Sequence, residues 1–103
     1  MEEQRVHKRI VVNMRVAYRD NGSVYRMGRV TDISRGGMFI LTDRPPEDTD
    51  GYLFASIDAQ EFGKVIWIQG HIVRKSSDGM AVKFTQSDGR GISMLLSSRG
   101  IPF

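Results

Sequence analysis

The sequence contains no cysteine among its 103 residues, and this absence removes several kinds of chemistry at once. It excludes a disulfide framework, a thiolate nucleophile and a cysteine-based metal site. Histidine is almost as scarce, because His7 and His71 are the only two and lie far apart in the chain. Neither has clustered carboxylates nearby, so we expect no metal site. Stability must therefore come from the packed core alone.

Long apolar runs are also missing, which bears on where the protein resides. The uncharged apolar stretch 65–68 is far too short to cross a bilayer, so we expect no membrane insertion. No hydrophobic secretory segment follows Met1, from which we expect a cytoplasmic location. With 40% hydrophobic and 26% charged residues, the composition is that of an ordinary globular chain with room for one domain.

The net charge of +3 conceals an uneven distribution along the chain. Residues 1–44 hold nine Lys and Arg against five Asp and Glu, whereas residues 45–103 hold six against seven. Eight of the eleven arginines lie in the first part. A guanidinium group is a planar fork that suits phosphate oxygens or the edge of guanine, so these arginines are candidates for binding such a ligand.

Apolar and polar residues alternate over short stretches separated by turn signals, which predicts a meandering antiparallel sheet. Strands are predicted over residues 10–19, 23–33, 38–42, 52–57 and 80–85. Between the last two, residues 62–68 and 70–75 form either separate strands or one strand bent near Gly70. Gly28 suggests a bulge or a sharp coil in the second strand. Six or seven short strands favour a closed or nearly closed barrel, because closure removes exposed strand edges.

The pattern changes after residue 86. Ser87 and Asp88 are suited to begin a short helix, which would carry three apolar side chains on one face: Ile92, Leu95 and Leu96. Aromatic residues such as Tyr52 and Trp67 are interpreted as core and rim packing, and His71 as part of the barrel wall. The chain thus divides into a flexible N-terminal segment over residues 1–9, a barrel over 10–86, and a helix with a tail over 87–103.

The segment before the first strand carries Arg5 and Arg9, four positions apart. A bare Arg-x-x-x-Arg pattern is most simply a solvated basic tail, since arginine is mostly exposed. The functional interpretation is an anion clamp formed by these two arginines. A segment near a terminus is mobile, so both side chains could close over a ligand held elsewhere and become ordered only on binding.

A second pattern, Asp32-x-Ser34-x-x-Gly37, lies between two predicted strands. The simplest interpretation is a turn in which the Asp and Ser side chains cap local backbone N–H groups. The same geometry could bind a ligand, because glycines allow close approach to the backbone and successive N–H groups can hold phosphate. A carboxylate beside arginines suits a ligand with both donors and anions. Guanine nucleotides have both, since guanine offers N–H donors on one edge and acceptors on another.

Taken together, Arg5-x-x-x-Arg9, Asp32-x-Ser34-x-x-Gly37 and the later stretch 79–84 resemble the PilZ family of cyclic di-GMP receptors. The resemblance extends from Arg5 to about Leu96. It implies an all-β fold, a PilZ-like antiparallel β-barrel of split-barrel type with six strands and a short C-terminal helix, in a stand-alone single-domain member. It also implies that cyclic di-GMP binds at the mouth of the barrel.

By motif position, the resemblance implies that Arg5 and Arg9 contact guanine and phosphate. Asp32 and Ser34 would contact guanine and phosphate from the barrel side, and Gly37 would keep the turn tight. Gln4 stands where some relatives carry another arginine, so we expect one ligand molecule and not two stacked ones. Binding would swing the N-terminal segment across the barrel, and a downstream effector protein would receive the signal.

Two other functions remain open at this point. One is a small basic barrel that binds single-stranded nucleic acid, although the basic residues precede the first strand and do not interleave with aromatics. The other is a PilZ-like adaptor that docks on a partner without ligand. No general base or nucleophile is arranged beside a partner group, so we expect neither an enzyme nor a cofactor other than the nucleotide ligand.

Overall fold

The structure is a computed structural model that describes residues 9–20, 24–43, 45 and 51–98. Of the predicted N-terminal segment, Arg9 alone lies within these ranges, so the predicted role of Arg5 falls outside the described residues. The elements in chain order are β1 (Ile10–Arg19), β2 (Arg26–Ile33), β3 (Gly37–Leu41), β4 (Tyr52–Ala59), a 3₁₀ helix (Gln60–Phe62), β5 (Lys64–Ser76), β6 (Gly79–Ser87) and α1 (Gly89–Ser98).

The six strands form a closed barrel in the order β1-β2-β3-β6-β5-β4, with every neighbouring pair antiparallel. This confirms the predicted all-β barrel with a C-terminal helix and sets the strand number at six. Of the two alternatives for the fifth strand, the single strand is correct, because β5 runs unbroken for 13 residues. Gly70 does not interrupt it. A Cβ at Gly70 would lie 2.4 Å from the Lys83 carbonyl oxygen, so this glycine allows β6 to approach closely.

Some strand bounds differ from the prediction for local reasons. β2 begins at Arg26 and not at residue 23, so Val24 and Tyr25 precede it. Phe62 was expected in a strand but is the last residue of the 3₁₀ helix, which Gly63 caps at its C-terminus. Gly63 has a φ of 63°, in the left-handed region that glycine adopts without steric cost. This reversal of the chain separates β4 from β5.

The barrel interior is filled by alternate residues of each strand. In β1, the inward residues Val12, Met14, Val16 and Tyr18 are all buried. The Tyr18 hydroxyl is paired with Thr42 Oγ1 at 2.7 Å, as expected for a buried polar group. The predicted apolar face of α1 packs against the same core through Ile92, Leu95 and Leu96.

A bulge interrupts the alternation near the end of β2. Val30 and Asp32, two residues apart, pair with consecutive residues of β3, so Thr31 is an extra residue on the β2 side. As a result Val30 and Ile33 are both buried although they are three residues apart. A bulge or a sharp coil was expected at Gly28; that glycine stays in register with β1, so the bulge lies elsewhere.

The antiparallel order gathers one set of chain positions at one end of the barrel, which we call the motif end. β1, β3 and β5 begin there, whereas β2, β4 and β6 finish there. Arg9 precedes β1, residues 34–36 join β2 to β3, and α1 follows β6, so all three lie at this end. The barrel therefore collects the two sequence patterns and the helix in one place.

Candidate functional site

Residues 34–36, which we call the motif turn, are held mainly by Ser34. Its backbone N–H donates to the Gly37 carbonyl at 2.8 Å, and its Oγ accepts from the Gly36 N–H at 3.2 Å. Ser34 is only 4% exposed. The Phe84 N–H donates to the Gly36 carbonyl at 2.9 Å and ties the turn to β6. Ser34 thus performs the local turn-forming role that its residue type favours.

Gly37 begins β3 directly after the motif turn. A Cβ at this position would lie 2.5 Å from the Val82 carbonyl oxygen, closer than real side chains come to a backbone atom. Only glycine therefore permits β3 and β6 to approach each other this closely here. This contact gives a physical reason for the glycine at the end of the second pattern.

Arg9 and Asp32 meet at the outer surface of the motif end. Arg9 Nη1 donates to Asp32 Oδ1 at 2.5 Å, although the two residues are 23 positions apart in the chain. The contact follows from the strand register, since Val11 pairs with Asp32. The side chains are 35% and 34% exposed. An ion pair this accessible contributes roughly 0–1 kcal/mol to stability. Separating the two groups therefore costs little, so each is available to bind a ligand.

The β2 bulge explains why Asp32 faces outward. Val30 points into the core, and regular alternation would turn Asp32 inward as well. The extra residue Thr31 shifts the alternation, so that Ile33 is buried and Asp32 stays accessible. Of the predicted site residues described, Arg9 and Asp32 are thus brought into contact, and Ser34 and Gly37 shape the turn beside them.

Arg35, within the motif turn, was missed as a candidate. Its Nη1 donates to Ser93 Oγ of α1 at 3.1 Å, across 58 residues of sequence. The turn is therefore joined directly to the C-terminal helix. The available signal was an arginine inside the second pattern, but nothing in its spacing indicates that the helix would lie within reach.

A second carboxylate at the motif end, Asp88, holds the start of α1. Its Oδ1 accepts the Gly91 N–H at 3.0 Å, and its Oδ2 lies 3.4 Å from Lys64 Nζ. The hydrogen bond from Gly91, followed by the Lys64 ammonium, lowers the pKa of Asp88 below its usual value against the opposing effect of burial. This confirms the predicted start of the helix.

Several side chains expected as packing instead lie on the outer wall. Tyr52 is 46% exposed and Trp67 is 49% exposed. The Tyr52 ring contacts the His71 ring, with centroids 4.5 Å apart and planes inclined by 41°. His71 lies in the wall as predicted, on β5 opposite Tyr52 of β4. These strands therefore present aromatic surface to solvent.

Within the described ranges, no group of three or more His, Asp or Glu side chains is close enough to hold a metal ion. In the same part of the chain, no helix has the length and apolar character needed to span a membrane. The chemistry at the motif end is thus that of two arginines, Arg9 and Arg35, the accessible carboxylate of Asp32 and a glycine turn. Such a set suits recognition of an anionic ligand that also carries hydrogen-bond donors.

The family model of the PilZ domain matches residues 3–97 of the chain. A comparison with curated protein sequences finds no match. Among solved structures, the chain is similar to the inhibitor of motility MotI/DgrA from Bacillus subtilis, with a TM-score of 0.76 and 17% identity. That similarity covers 94% of this chain and 50% of the other, so the chain spans half the length of the Bacillus protein.

Two further structures share the fold. The PilZ domain of CeSA from a cellulose-synthesizing bacterium has a TM-score of 0.72 and 17% identity, over 89% of this chain and 97% of that domain. The uncharacterized Legionella protein Lpg0364 has a TM-score of 0.55 and 14% identity, over 89% and 91% of the two chains. At such identities the structures establish the shared fold alone.

Proposed function

The chain belongs to the PilZ domain family of cyclic di-GMP receptors, and on this premise we propose that it binds cyclic di-GMP at the motif end. The single observation that carries the proposal is the meeting of Arg9 and Asp32 on the outer surface, beside the glycine turn. These two groups complement the two hydrogen-bonding edges of guanine. The carboxylate accepts from the guanine N–H donors, and the guanidinium donates to O6 and N7 or to a phosphate.

In the proposed complex, Arg5 and Arg9 form a clamp that contacts guanine and phosphate. Asp32 accepts from guanine, while Ser34 and Gly37 bring the turn backbone close to a phosphate. The exposed Arg9–Asp32 pair supports this assignment, because separating it costs little compared with the charge-assisted hydrogen bonds that a ligand offers. One ligand molecule binds per chain.

The proposed output is a change in the segment before β1 that an effector protein reads. PilZ domains are generally non-catalytic receptors that act on effector proteins. In this chain the Arg35–Ser93 hydrogen bond supports a second route, because it joins the motif turn to α1. A ligand that moves the turn would therefore also alter the contact that α1 makes with it.

The proposal is tested by calorimetric titration of the protein with cyclic di-GMP. We expect saturable binding with one molecule per chain. The double change Arg5→Ala with Arg9→Ala should weaken it about 100-fold or more, from two charged hydrogen bonds of about 1.5–3 kcal/mol each. Arg26→Ala is the matched control, since this exposed arginine lies at the opposite end of β2. No detectable heat at ligand concentrations of about 100 μM would refute the proposal.

The same preparation tests the nucleic-acid alternative. Titration with a single-stranded oligonucleotide at increasing salt should show at most weak, non-specific affinity. Tight oligonucleotide binding that falls steeply with salt, together with indifference to cyclic di-GMP, would favour a nucleic-acid-binding barrel.

A further inference from the structure

A row of side chains crosses the outer wall of the barrel from the motif turn. Strand register pairs Gly37 of β3 with Lys83 of β6, Lys83 with His71 of β5, and His71 with Tyr52 of β4. We call these four residues the wall row. It begins beside Ser34, whose N–H donates to the Gly37 carbonyl. The wall row is therefore a direct continuation of the site that contains Arg9 and Asp32.

Lys83, His71 and Tyr52 lie on the outer face of the wall, because their neighbours along each strand face the core; Gly37 is buried and His71 is half-buried. Val82, Ile72 and Leu53 are all buried beside them. Lys83 is exposed and Tyr52 is 46% exposed. Gly37 contributes no side chain, so nothing projects from β3 between the motif turn and Lys83.

The wall row offers two chemistries that a nucleotide requires. The Lys83 ammonium can pair with a phosphate. The contacting rings of the half-buried His71 and the exposed Tyr52, with centroids 4.5 Å apart, form an aromatic surface on which a base can stack. Cross-strand packing explains the contact between the two rings. It does not explain why this pair lies on the outer face next to a lysine. The combination favours a ligand with both a base and a phosphate.

Cyclic di-GMP has two guanine bases and two phosphates, whereas Asp32 can read the edge of one guanine. Neighbouring strands are about 4.8 Å apart, so Lys83 lies roughly 10 Å from β2 and His71 roughly 15 Å from it. Resting on the proposed function, we propose that the wall row extends the cyclic di-GMP site. Lys83 contacts a phosphate, and the His71–Tyr52 pair stacks against the second guanine.

The first test follows the imidazole proton resonances during titration with cyclic di-GMP. The chain has just two histidines, so a His7→Gln variant assigns the His71 signals. A guanine stacked on the pair should shift the His71 ring protons upfield in step with the binding measured by calorimetry. His71 resonances that stay unchanged at saturation would overturn the extended site while leaving binding at Asp32 intact.

The second test compares variants by calorimetry. Lys83→Ala and Tyr52→Ala should each weaken cyclic di-GMP binding roughly fivefold to tenfold, through a lost phosphate contact and a lost stacking surface. Arg26→Ala is again the matched control, because this exposed arginine begins β2 at the end opposite the motif end and should bind as the wild type does. Thermal unfolding of each variant separates a binding defect from a folding defect.

The outcomes separate this inference from the proposed function. If the wild-type protein does not bind cyclic di-GMP, both fail together. If the wild type binds and the Lys83→Ala and Tyr52→Ala variants bind equally well, only the extension along the wall row is wrong.

Discussion

Asp32 and Asp88 are two carboxylates at the same end of one barrel, and they are held in different ways. Asp88 accepts a backbone N–H from Gly91 and faces Lys64, and its side chain is 16% exposed. Asp32 pairs with the Arg9 side chain and is 34% exposed. The surroundings of Asp88 lower its pKa, chiefly through the Gly91 hydrogen bond.

The two carboxylates differ in whether a ligand can replace the group that donates a hydrogen bond to them. A backbone N–H at the start of a helix is a fixed donor that is present whenever α1 is folded. The Arg9 side chain precedes the first strand and can turn away to other partners. Asp88 therefore serves the fold, whereas Asp32 is available to a ligand. Substituting each in turn should separate stability from binding.

Among single substitutions, the largest effect is expected for Asp32→Ala. Removing the carboxylate should weaken cyclic di-GMP binding roughly 10- to 150-fold, because a hydrogen bond to a charged group contributes about 1.5–3 kcal/mol. Stability should change by no more than about 1 kcal/mol, since the lost ion pair is exposed. Calorimetric titration and denaturant unfolding measure the two quantities. A variant that binds normally would remove Asp32 from the site.

Asp88→Ala should instead reduce stability and leave binding unchanged, and its effect should be smaller. Loss of the helix cap should lower the free energy of unfolding by about 0.5–2 kcal/mol. For a domain of this size, that corresponds to a Tm decrease of about 4–8 °C per kcal/mol. Cyclic di-GMP affinity should be retained, and Asp88→Asn should recover most of the stability because asparagine also caps helices. If Asp88→Ala abolished binding without loss of stability, the assignment of Asp88 to stability and of Asp32 to binding would be wrong.

The smallest expected effect is a change in stability at acidic pH. Because the fold lowers the pKa of Asp88 below its ordinary value of 3.8, the unfolded chain binds a proton more readily than the folded one. This contribution to stability is complete above the ordinary value and is lost as pH falls through the lowered pKa. The stability difference between wild type and Asp88→Asn should therefore shrink as pH falls below about 4. A difference that stays constant down to the acid limit would contradict the ionised cap.

Much of the barrel could be predicted because period-2 alternation is local. β1 was predicted with its observed bounds, since its apolar residues alternate without interruption. Alternation does not say which glycine breaks a strand and which permits close packing. Gly70 sits within β5 because it faces the backbone of β6, whereas Gly63 ends the preceding turn with a positive φ. That distinction depends on neighbours that are distant in the sequence.

The candidate site, too, could be predicted only in part from the sequence. The resemblance to the PilZ family implied that Arg9 and Asp32 contact the same ligand, and the structure brings the two side chains into contact. The Arg35–Ser93 hydrogen bond could not be predicted, because it depends on where α1 packs across the end of the barrel. The exposure of Tyr52 and Trp67 was also missed. Alternation assigns them to a face, but only barrel closure decides that this face is the outer one.

Because Thr31 is an extra residue in β2, the outward position of Asp32 depends on the bulge as well as on the identity of the residues. A chain could keep both patterns letter for letter, yet if residues 30–33 ran as a regular strand without the bulge, Asp32 would turn toward the interior. Its buried carboxylate would then need a hydrogen-bonding partner or a proton, and the guanidinium of Arg9 would lose its partner. In comparing relatives, a bulge between Val30 and Asp32 should therefore be read as part of the proposed binding motif.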